Sequence, residues 1–339
     1  MMRRKKEGSA DMPSVSEYAK GVASGSRMML SKAITLIESN SPKHFEAAQE
    51  LIKEINLDRK PSLRIGITGV PGAGKSTFID AFGTLLCEMG HKVAILAVDP
   101  SSQVSKGSIL GDKTRMERMS RNPNGFIRPS PSSGVLGGVN RKTRETILLC
   151  EAAGYDIILV ETVGVGQGEF LVRGMVDFFL LLVLTGAGDE LQTMKKGIME
   201  LPDLVVVNKA DGDNRLQAEK AQREYNNILH FLKPYTEGWT TKATRASALK
   251  EEGIAEIWKT IQEFQKATEE NGIFEKRRKI QQKEWFYESM KEQILFRFFH
   301  EGGMKEKVKR FEEEIEEGSL PVSAAVKTLI DAFFSKHPT

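Results

Sequence analysis

The sequence predicts an α/β fold, a mostly parallel sheet covered by helices on both faces, with helical extensions before and after it. Three observations predict it. Between Pro61 and Trp258, short and nearly continuous apolar runs alternate with helix-length segments, the pattern of strands buried on both faces. A glycine-rich stretch links the first of these runs directly to a helical segment. Both ends of the 339-residue chain carry apolar residues at helical spacing and no strand signal.

At the N-terminus, Met1-Met2-Arg3-Arg4-Lys5-Lys6 is basic, but no apolar segment follows it, so it reads as a solvated tail rather than a secretory signal. Glu7, Asp11 and Glu17 speak against an organelle transit peptide. Residues 17–58 read as helices. Met28, Met29, Ala33, Ile34 and Ile37 recur at helical spacing, Ser41-Pro42 breaks the run, and a second helix from Pro42 to Ile55 places Phe45, Ala48, Leu51, Ile52 and Ile55 on one face. Strands are expected at Leu63–Thr68, Val93–Val98, Ile157–Val160, Phe178–Leu184 and Leu204–Val207, with a further one before Ser247. Beyond residue 262 the chain is helical and charged, with breaks at Gly302-Gly303 and Gly318-Ser319-Leu320-Pro321.

Composition bounds the function. With 40% hydrophobic and 28% charged residues the chain has enough apolar material for a real core. Lys+Arg 49 against Asp+Glu 46 leaves +3, too little asymmetry for a nucleic-acid coat. Cys87 and Cys150 are the two cysteines, which excludes a disulfide framework and a four-cysteine zinc site. The longest apolar run, Phe178–Leu184, is far below the ~20 residues needed to span a bilayer. A soluble, cytoplasmic protein with no membrane and no nucleic-acid partner is expected.

The glycine-rich stretch is Gly69-Val70-Pro71-Gly72-Ala73-Gly74-Lys75-Ser76-Thr77. It satisfies G-x-x-x-x-G-K-[ST] between a strand and a predicted helix from Phe78 to Leu86, the context that gives the motif meaning. Glycines let backbone N–H groups turn toward phosphates, and the helix N-terminus adds positive partial charge. Gly69, Gly72, Ala73, Gly74, Lys75, Ser76 and Thr77 are therefore the expected phosphate cradle, with Lys75 on the β/γ-phosphates and the Ser76 hydroxyl on Mg2+. The fold class sharpens to a P-loop NTPase.

The base is read elsewhere. Leu204–Val207 runs into Asn208-Lys209-Ala210-Asp211, an N-K-x-D sequence at a strand's carboxyl end, where open sheets bind ligands. A helix-capping aspartate is the alternative reading of the motif alone; just past a strand and following a P-loop, it reads as a guanine site. A carboxylate accepts only. Guanine offers N1–H and its 2-amino group together, whereas adenine would leave a buried carboxylate short of donors, and such polar mismatches discriminate strongly. Lys209 would lie against the base, and Ser247-Ala248 could meet the guanine carbonyl through backbone N–H. GTP is expected over ATP.

Two further strands end in acids. Ile157–Val160 leads to Glu161-Thr162-Val163-Gly164, and Val93–Val98 to Asp99-Pro100. Glu161 and Asp99 are expected to hold Mg2+ or orient the attacking water, and Gly164 to sense the γ-phosphate. Asp112, in a long loop, is a weaker candidate for the metal.

Taken together these motifs resemble the MeaB/ArgK family of P-loop GTPases. The matching stretches are GVPGAGKST (69–77), AVDPSS (97–102), GSILGDKTRM (107–116), IRPSPSSG (127–134), GYDIILVETVGVGQ (154–167), GAGDELQ (186–192), KKGIMEL (195–201) and VNKADGD (207–213). The resemblance covers about residues 20–260. It implies a GTP-hydrolysing chaperone of a coenzyme B12-dependent acyl-CoA mutase, above all methylmalonyl-CoA mutase, gating adenosylcobalamin loading and protecting or reactivating the enzyme. It carries over GTP/GDP and Mg2+ as cofactors, Lys75, Asp99 and Glu161 as catalytic residues, and Asp112 as a switch carboxylate near the metal. It also marks Gly186–Lys196 as a further switch, with Gln192 and Lys195 its informative positions, and it leaves room for an adenosyltransferase in the complex.

The family pattern is broken at Gln103-Val104-Ser105-Lys106, at Gly168 where Ser is usual, at Thr185 where Pro is common, and at Thr193-Met194. All lie in or near loops, away from phosphate, metal and guanine positions. The chain is expected to divide into an N-terminal helical arm (1–58), a P-loop GTPase domain (59–262) and a C-terminal helical dimerisation extension (263–339). In that extension Phe286, Met290, Ile294 and Phe298 fall four apart, widened by Leu295 and Phe299, and so large a stripe needs a partner surface. The resemblance makes that a homodimer; packing on the chain's own GTPase domain is the alternative. A nickel metallochaperone GTPase would need clustered His or Cys ligands, but His44, His91, His230, His300 and His337 are scattered. A kinase acting on a transport protein would need an acceptor site that nothing here marks. A signal-recognition GTPase would need a Met-rich basic module, which the dispersed methionines do not supply.

Overall fold

The structure is a computed structural model that describes residues 12–39, 41–55, 61–98, 116–129, 136–162, 168–186, 196–300 and 302–335. Its strands are β1 (Leu63–Gly69), β2 (Val93–Val98), β3 (Gly125–Arg128), β4 (Ile157–Thr162), β5 (Phe178–Val183), β6 (Leu204–Val207) and β7 (Lys242–Arg245). All pair in parallel, in the order β3-β2-β4-β1-β5-β6-β7. The helices are α1 (Val15–Ala23), α2 (Arg27–Glu38), α3 (Pro42–Ile55), α4 (Lys75–Glu88), α5 (Glu117–Arg121), α6 (Leu136–Ala152), α7 (Gly168–Arg173), α8 (Arg215–Phe231), α9 (Ile254–Glu270), α10 (Ile273–His300), α11 (Met304–Glu316) and α12 (Val322–Phe334).

The period of two along each strand builds two cores. On β5, Phe178, Leu180 and Leu182 enter one core with Phe78 and Phe82 of α4 and Ile257, Ile261 and Phe264 of α9. Leu181 and Val183 enter the other with Ala218, Ala221 and Tyr225 of α8. Leu204 and Val206 of β6 face the first core, Val205 and Val207 the second. The continuous apolar runs thus follow from burial on both faces.

Two strands depart from the sequence reading. β3 is a short edge strand that it did not anticipate, and β7, expected only by position, is polar. Strand and helix ends also shift. β4 runs on through Thr162, so Glu161 belongs to the strand rather than following it, and α4 begins at Lys75, so Lys75, Ser76 and Thr77 form its first turn.

Contacts divide the chain at Gln281/Gln282 into two compact units. The first includes the sheet and α1–α3. These helices pack on one another and on α6, burying Val22, Leu30, Ile34, Ile37 and Leu51. Glu38 of α2 pairs with Arg128 at the end of β3, and its carbonyl accepts from Lys142 Nζ at 2.7 Å. α1 starts with a capping box, Ser14 N donating to Glu17 Oε2 at 2.7 Å and Glu17 N to Ser14 Oγ at 3.3 Å.

The second unit contains the end of α10, α11 and α12. Phe298 is buried, its ring 5.3 Å from that of Phe333, whereas Phe286, Met290, Ile294, Leu295 and Phe299 are exposed. Along α12, Val322, Val326, Ile330 and Phe334 form a second exposed apolar row. No helix of the described residues is long and apolar enough to cross a membrane.

Candidate nucleotide-binding site

Strand order reverses around β1, because β2 is reached by passing over β4. Such a reversal opens a crevice at the carboxyl ends of the strands, and the P-loop occupies it. Gly69 closes β1 so near to β5 that a Cβ there would sit 2.4 Å from Leu182 O. Gly72 and Gly74 take φ of 80° and 83°, left-handed values that favour glycine. Gly74 caps α4, which leaves the helix N-terminus open toward the crevice. Lys75 reaches back over the loop, Nζ donating to Gly69 O at 2.8 Å. Ser76 is half-buried and Thr77 exposed.

Asn208 ties this loop to the rest of the N-K-x-D stretch and to Ala248. Its side chain is buried, Nδ2 donates to Ala73 O at 2.7 Å, and Oδ1 accepts from Ala248 N at 3.2 Å. A Cβ on Gly74 would lie 2.9 Å from Asn208 Nδ2, so the absence of a side chain at Gly74 is what lets the two motifs meet. Lys209 is exposed at φ 59°. Asp211 Oδ1 accepts from Ser247 Oγ at 2.7 Å, and that hydroxyl in turn accepts from Lys250 N at 3.1 Å. Ser247 N is bonded to Glu252 O at 2.9 Å. Ser247 and Ala248 therefore act first as supports, fixing Asp211 and Asn208. The sequence reading also missed a brace below them: Asn214 donates to Lys209 O at 2.7 Å and accepts from Thr185 Oγ1 at 2.9 Å, a bond that the common proline at 185 could not make.

Glu161 lies at the carboxyl end of β4, registered against Ile67 of β1 and Ala97 of β2, and is only 5% exposed. Its neighbour Thr162 donates to Thr68 Oγ1 at 2.7 Å, locking β4 to β1. Burial pushes the Lys75 ammonium below its usual range, opposed by the charges of Glu161 and then Glu169. Glu169, on α7, was not singled out by sequence; its signal was an acid in the first turn of a short helix following the glycine-rich strand exit. Gly186, just after β5, has φ 97°. Asp99, Asp112, Gly164, Gln192 and Lys195 lie outside the described residues, as do 103–106 and 193–194.

A parallel sheet with a P-loop after β1 and an N-K-x-D clamp after β6 defines a P-loop GTPase. A sequence model of the family described as "Methylmalonyl Co-A mutase-associated GTPase MeaB" matches residues 30–302, and this chain belongs to that family. It is 46% identical over 327 residues to the mouse "Methylmalonic aciduria type A homolog, mitochondrial", covering 94% of this chain and 79% of the relative. It is 47% identical over 285 residues to "GTPase ArgK" of Escherichia coli, covering 84% and 86%. The crystal structure of a "LAO/AO transport system kinase" superposes with a TM-score of 0.71 at 36% identity, covering 94% of this chain and 97% of that one. The expected fold and GTPase activity are thereby met.

Proposed function

We propose that this GTPase is a chaperone of a coenzyme B12-dependent acyl-CoA mutase, with methylmalonyl-CoA mutase the first candidate. The family match over residues 30–302 carries this reading. The chain would gate adenosylcobalamin loading and protect or reactivate the mutase, hydrolysis resetting the switch. An adenosyltransferase is a candidate third component. The exposed rows on α10 and α12 support a homodimer formed through the C-terminal helices. A cytoplasmic setting suits a chain whose two cysteines are both buried and free.

In this reading the residues divide the work. Gly69, Gly72, Ala73 and Gly74 let the backbone approach the phosphates, and Lys75 neutralises charge on the β/γ-phosphates. Asp211, oriented by Ser247, takes the two guanine donors, while Asn208 holds the P-loop and the base motif in one register. Donors of this kind fit Mg2+, a hard cation that prefers oxygen: the Ser76 hydroxyl in the first turn of α4 and the buried Glu161 carboxylate at the strand end, with Asp99 and Asp112 as further candidates. When bound, the ion would stabilise charge on the transferred phosphoryl group. The residues' own contribution is to fix the phosphates, exclude the wrong base and hold the carboxylates near the terminal phosphate.

Co-elution with purified methylmalonyl-CoA mutase tests the partner. A complex whose stability differs between GDP and a non-hydrolysable GTP analogue is expected; no complex with either would remove this mutase. A second reading, phosphoryl transfer to a transport protein, draws on the 36% identical protein described as a transport system kinase. Radiolabel from GTP on a protein acceptor, rather than as free phosphate, would favour it.

A further inference from the structure

Lys209 holds a backbone conformation that lysine seldom takes. Its φ of 59° lies in the left-handed region, where a Cβ crowds the following carbonyl oxygen. Such strain persists where the surroundings over-determine it, and it gathers at functional sites. Backbone bonds hold the residues on either side: Asn208 N donates to Val183 O at 2.9 Å, and Ala210 N to Ala246 O at 3.1 Å. The bond to the Lys209 carbonyl comes from a side chain, Asn214 Nδ2 donating to it at 2.7 Å.

Asn214 stands where a different task is usual. It is the N-cap of α8, and asparagine is among the best N-cap residues because its side-chain oxygen can accept from the first N–H groups of the helix. Here the side chain makes no cap bond. Both its ends are engaged elsewhere. The Lys209 carbonyl can only accept, so the amide nitrogen must face it, which leaves Oδ1 to accept from Thr185 Oγ1 at 2.9 Å. Thr185 follows β5 and precedes Gly186, whose φ is 97°. Its hydroxyl thus fixes which way round the Asn214 amide sits. A helix cap is forgone, and the base motif is gripped from the exit of the neighbouring strand.

We propose that Asn214, oriented by Thr185, is a positioning residue for guanine-nucleotide binding: it fixes the Lys209 backbone so that the lysine stem lies against the base. The inference rests on the assignment of residues 208–211 to guanine. Asn214→Asp separates this role from a purely structural one. Aspartate caps a helix as well as asparagine does, but it has no N–H for the Lys209 carbonyl and sets a carboxylate against it. The Kd of fluorescent GDP and the KM for GTP should each rise about tenfold, the scale of one lost hydrogen bond. Turnover at saturating GTP should change less than about twofold, because base contacts act alike in ground and transition states. The thermal midpoint should not fall, since the cap residue remains a good one. Thr185→Val, which loses only the hydroxyl, should weaken GDP about threefold or more, and Thr185→Ser, which retains it, should bind as the wild type does. In a Lys209→Ala background, Asn214→Asp should add less than about twofold, because the stem it positions is gone. Wild-type GDP affinity in N214D or in T185V would overturn the inference. So would a thermal midpoint that falls with the affinity, a T185S as impaired as T185V, or a full tenfold effect persisting in K209A, since each reports a role other than placing Lys209. Asp211→Asn, run alongside, separates the two layers. An unchanged preference for GTP over xanthosine triphosphate in it removes the guanine assignment, whereas a lost preference beside wild-type affinity in N214D removes the Asn214 inference alone.

Discussion

Guanine and xanthine differ at C2, where an amino donor becomes a carbonyl acceptor, so Asp211 offers a direct handle on base choice. Asp211→Asn should lose preference for GTP over xanthosine triphosphate by about 10–100-fold, the cost of one or two charge-assisted hydrogen bonds. Competition binding with both nucleotides reads this, and an unchanged ratio would take Asp211 out of the base site. Lys75→Ala should lower GTP turnover about 100-fold or more, by loss of a preorganised positive charge at the developing anion, with the far-UV spectrum unchanged. The cysteines give a control on the fold. Burial pushes the Cys87 thiol up to about 11 and that of Cys150 higher still. At pH 8 neither should react with a disulfide reagent in the native protein, and both should react once it is unfolded. Rapid native labelling would contradict their burial. At this scale the sequence was most readable where chemistry is contiguous: residues 69–77 and 208–211 announce themselves. Asn214 did not, because its partner Thr185 lies 29 positions away and only folding brings the two together.

Among the elements, β1 and its loop concentrate the close approaches. Gly69→Ala would drive a Cβ to 2.4 Å from a β5 carbonyl, so strand or loop must move. We expect a loss of roughly 1–3 kcal/mol, the usual range for overpacking, together with weakened nucleotide binding; chemical denaturation and fluorescent-GDP titration measure both. A variant with wild-type stability and affinity would show that β1 and β5 can part without cost. Strands buried on both faces, such as β5 and β6, were legible as apolar runs. The two edge strands were less so, since β3 (Gly-Phe-Ile-Arg) lies between Pro123 and Pro129, and β7 (Lys-Ala-Thr-Arg) is polar. β7 is only partly buried, and β3, though mostly buried, offers just Phe126 and Ile127 as large apolar residues, so neither gives the apolar run that marks the central strands. The ends of α10, α11 and α12 followed from glycine and proline: Gly303 and Gly318 take φ of 83° and 73°, and Pro321 caps α12.

For the molecule as a whole, the candidate nucleotide site gathers at the carboxyl ends of the strands, and exposed apolar surface on the last helices. If those helices form the homodimer, charging both rows, with Ile294→Glu and Ile330→Glu together, should convert a dimer into a monomer by light scattering while GTP turnover persists. A wild-type protein that is monomeric at tens of micromolar would remove the homodimer outright. Partner choice was the least legible property, because the residues that would meet a mutase are not fixed by phosphate or base chemistry. The proposed function makes this protein a GTP switch that answers to a mutase. Its most direct test is GTP turnover by the purified protein, with and without methylmalonyl-CoA mutase, with ATP as the control nucleotide. GTP hydrolysis should accelerate when the mutase is present, with no comparable turnover of ATP. GTP hydrolysis that the mutase leaves unchanged would contradict the partnership, and equal use of ATP would contradict the guanine site as well.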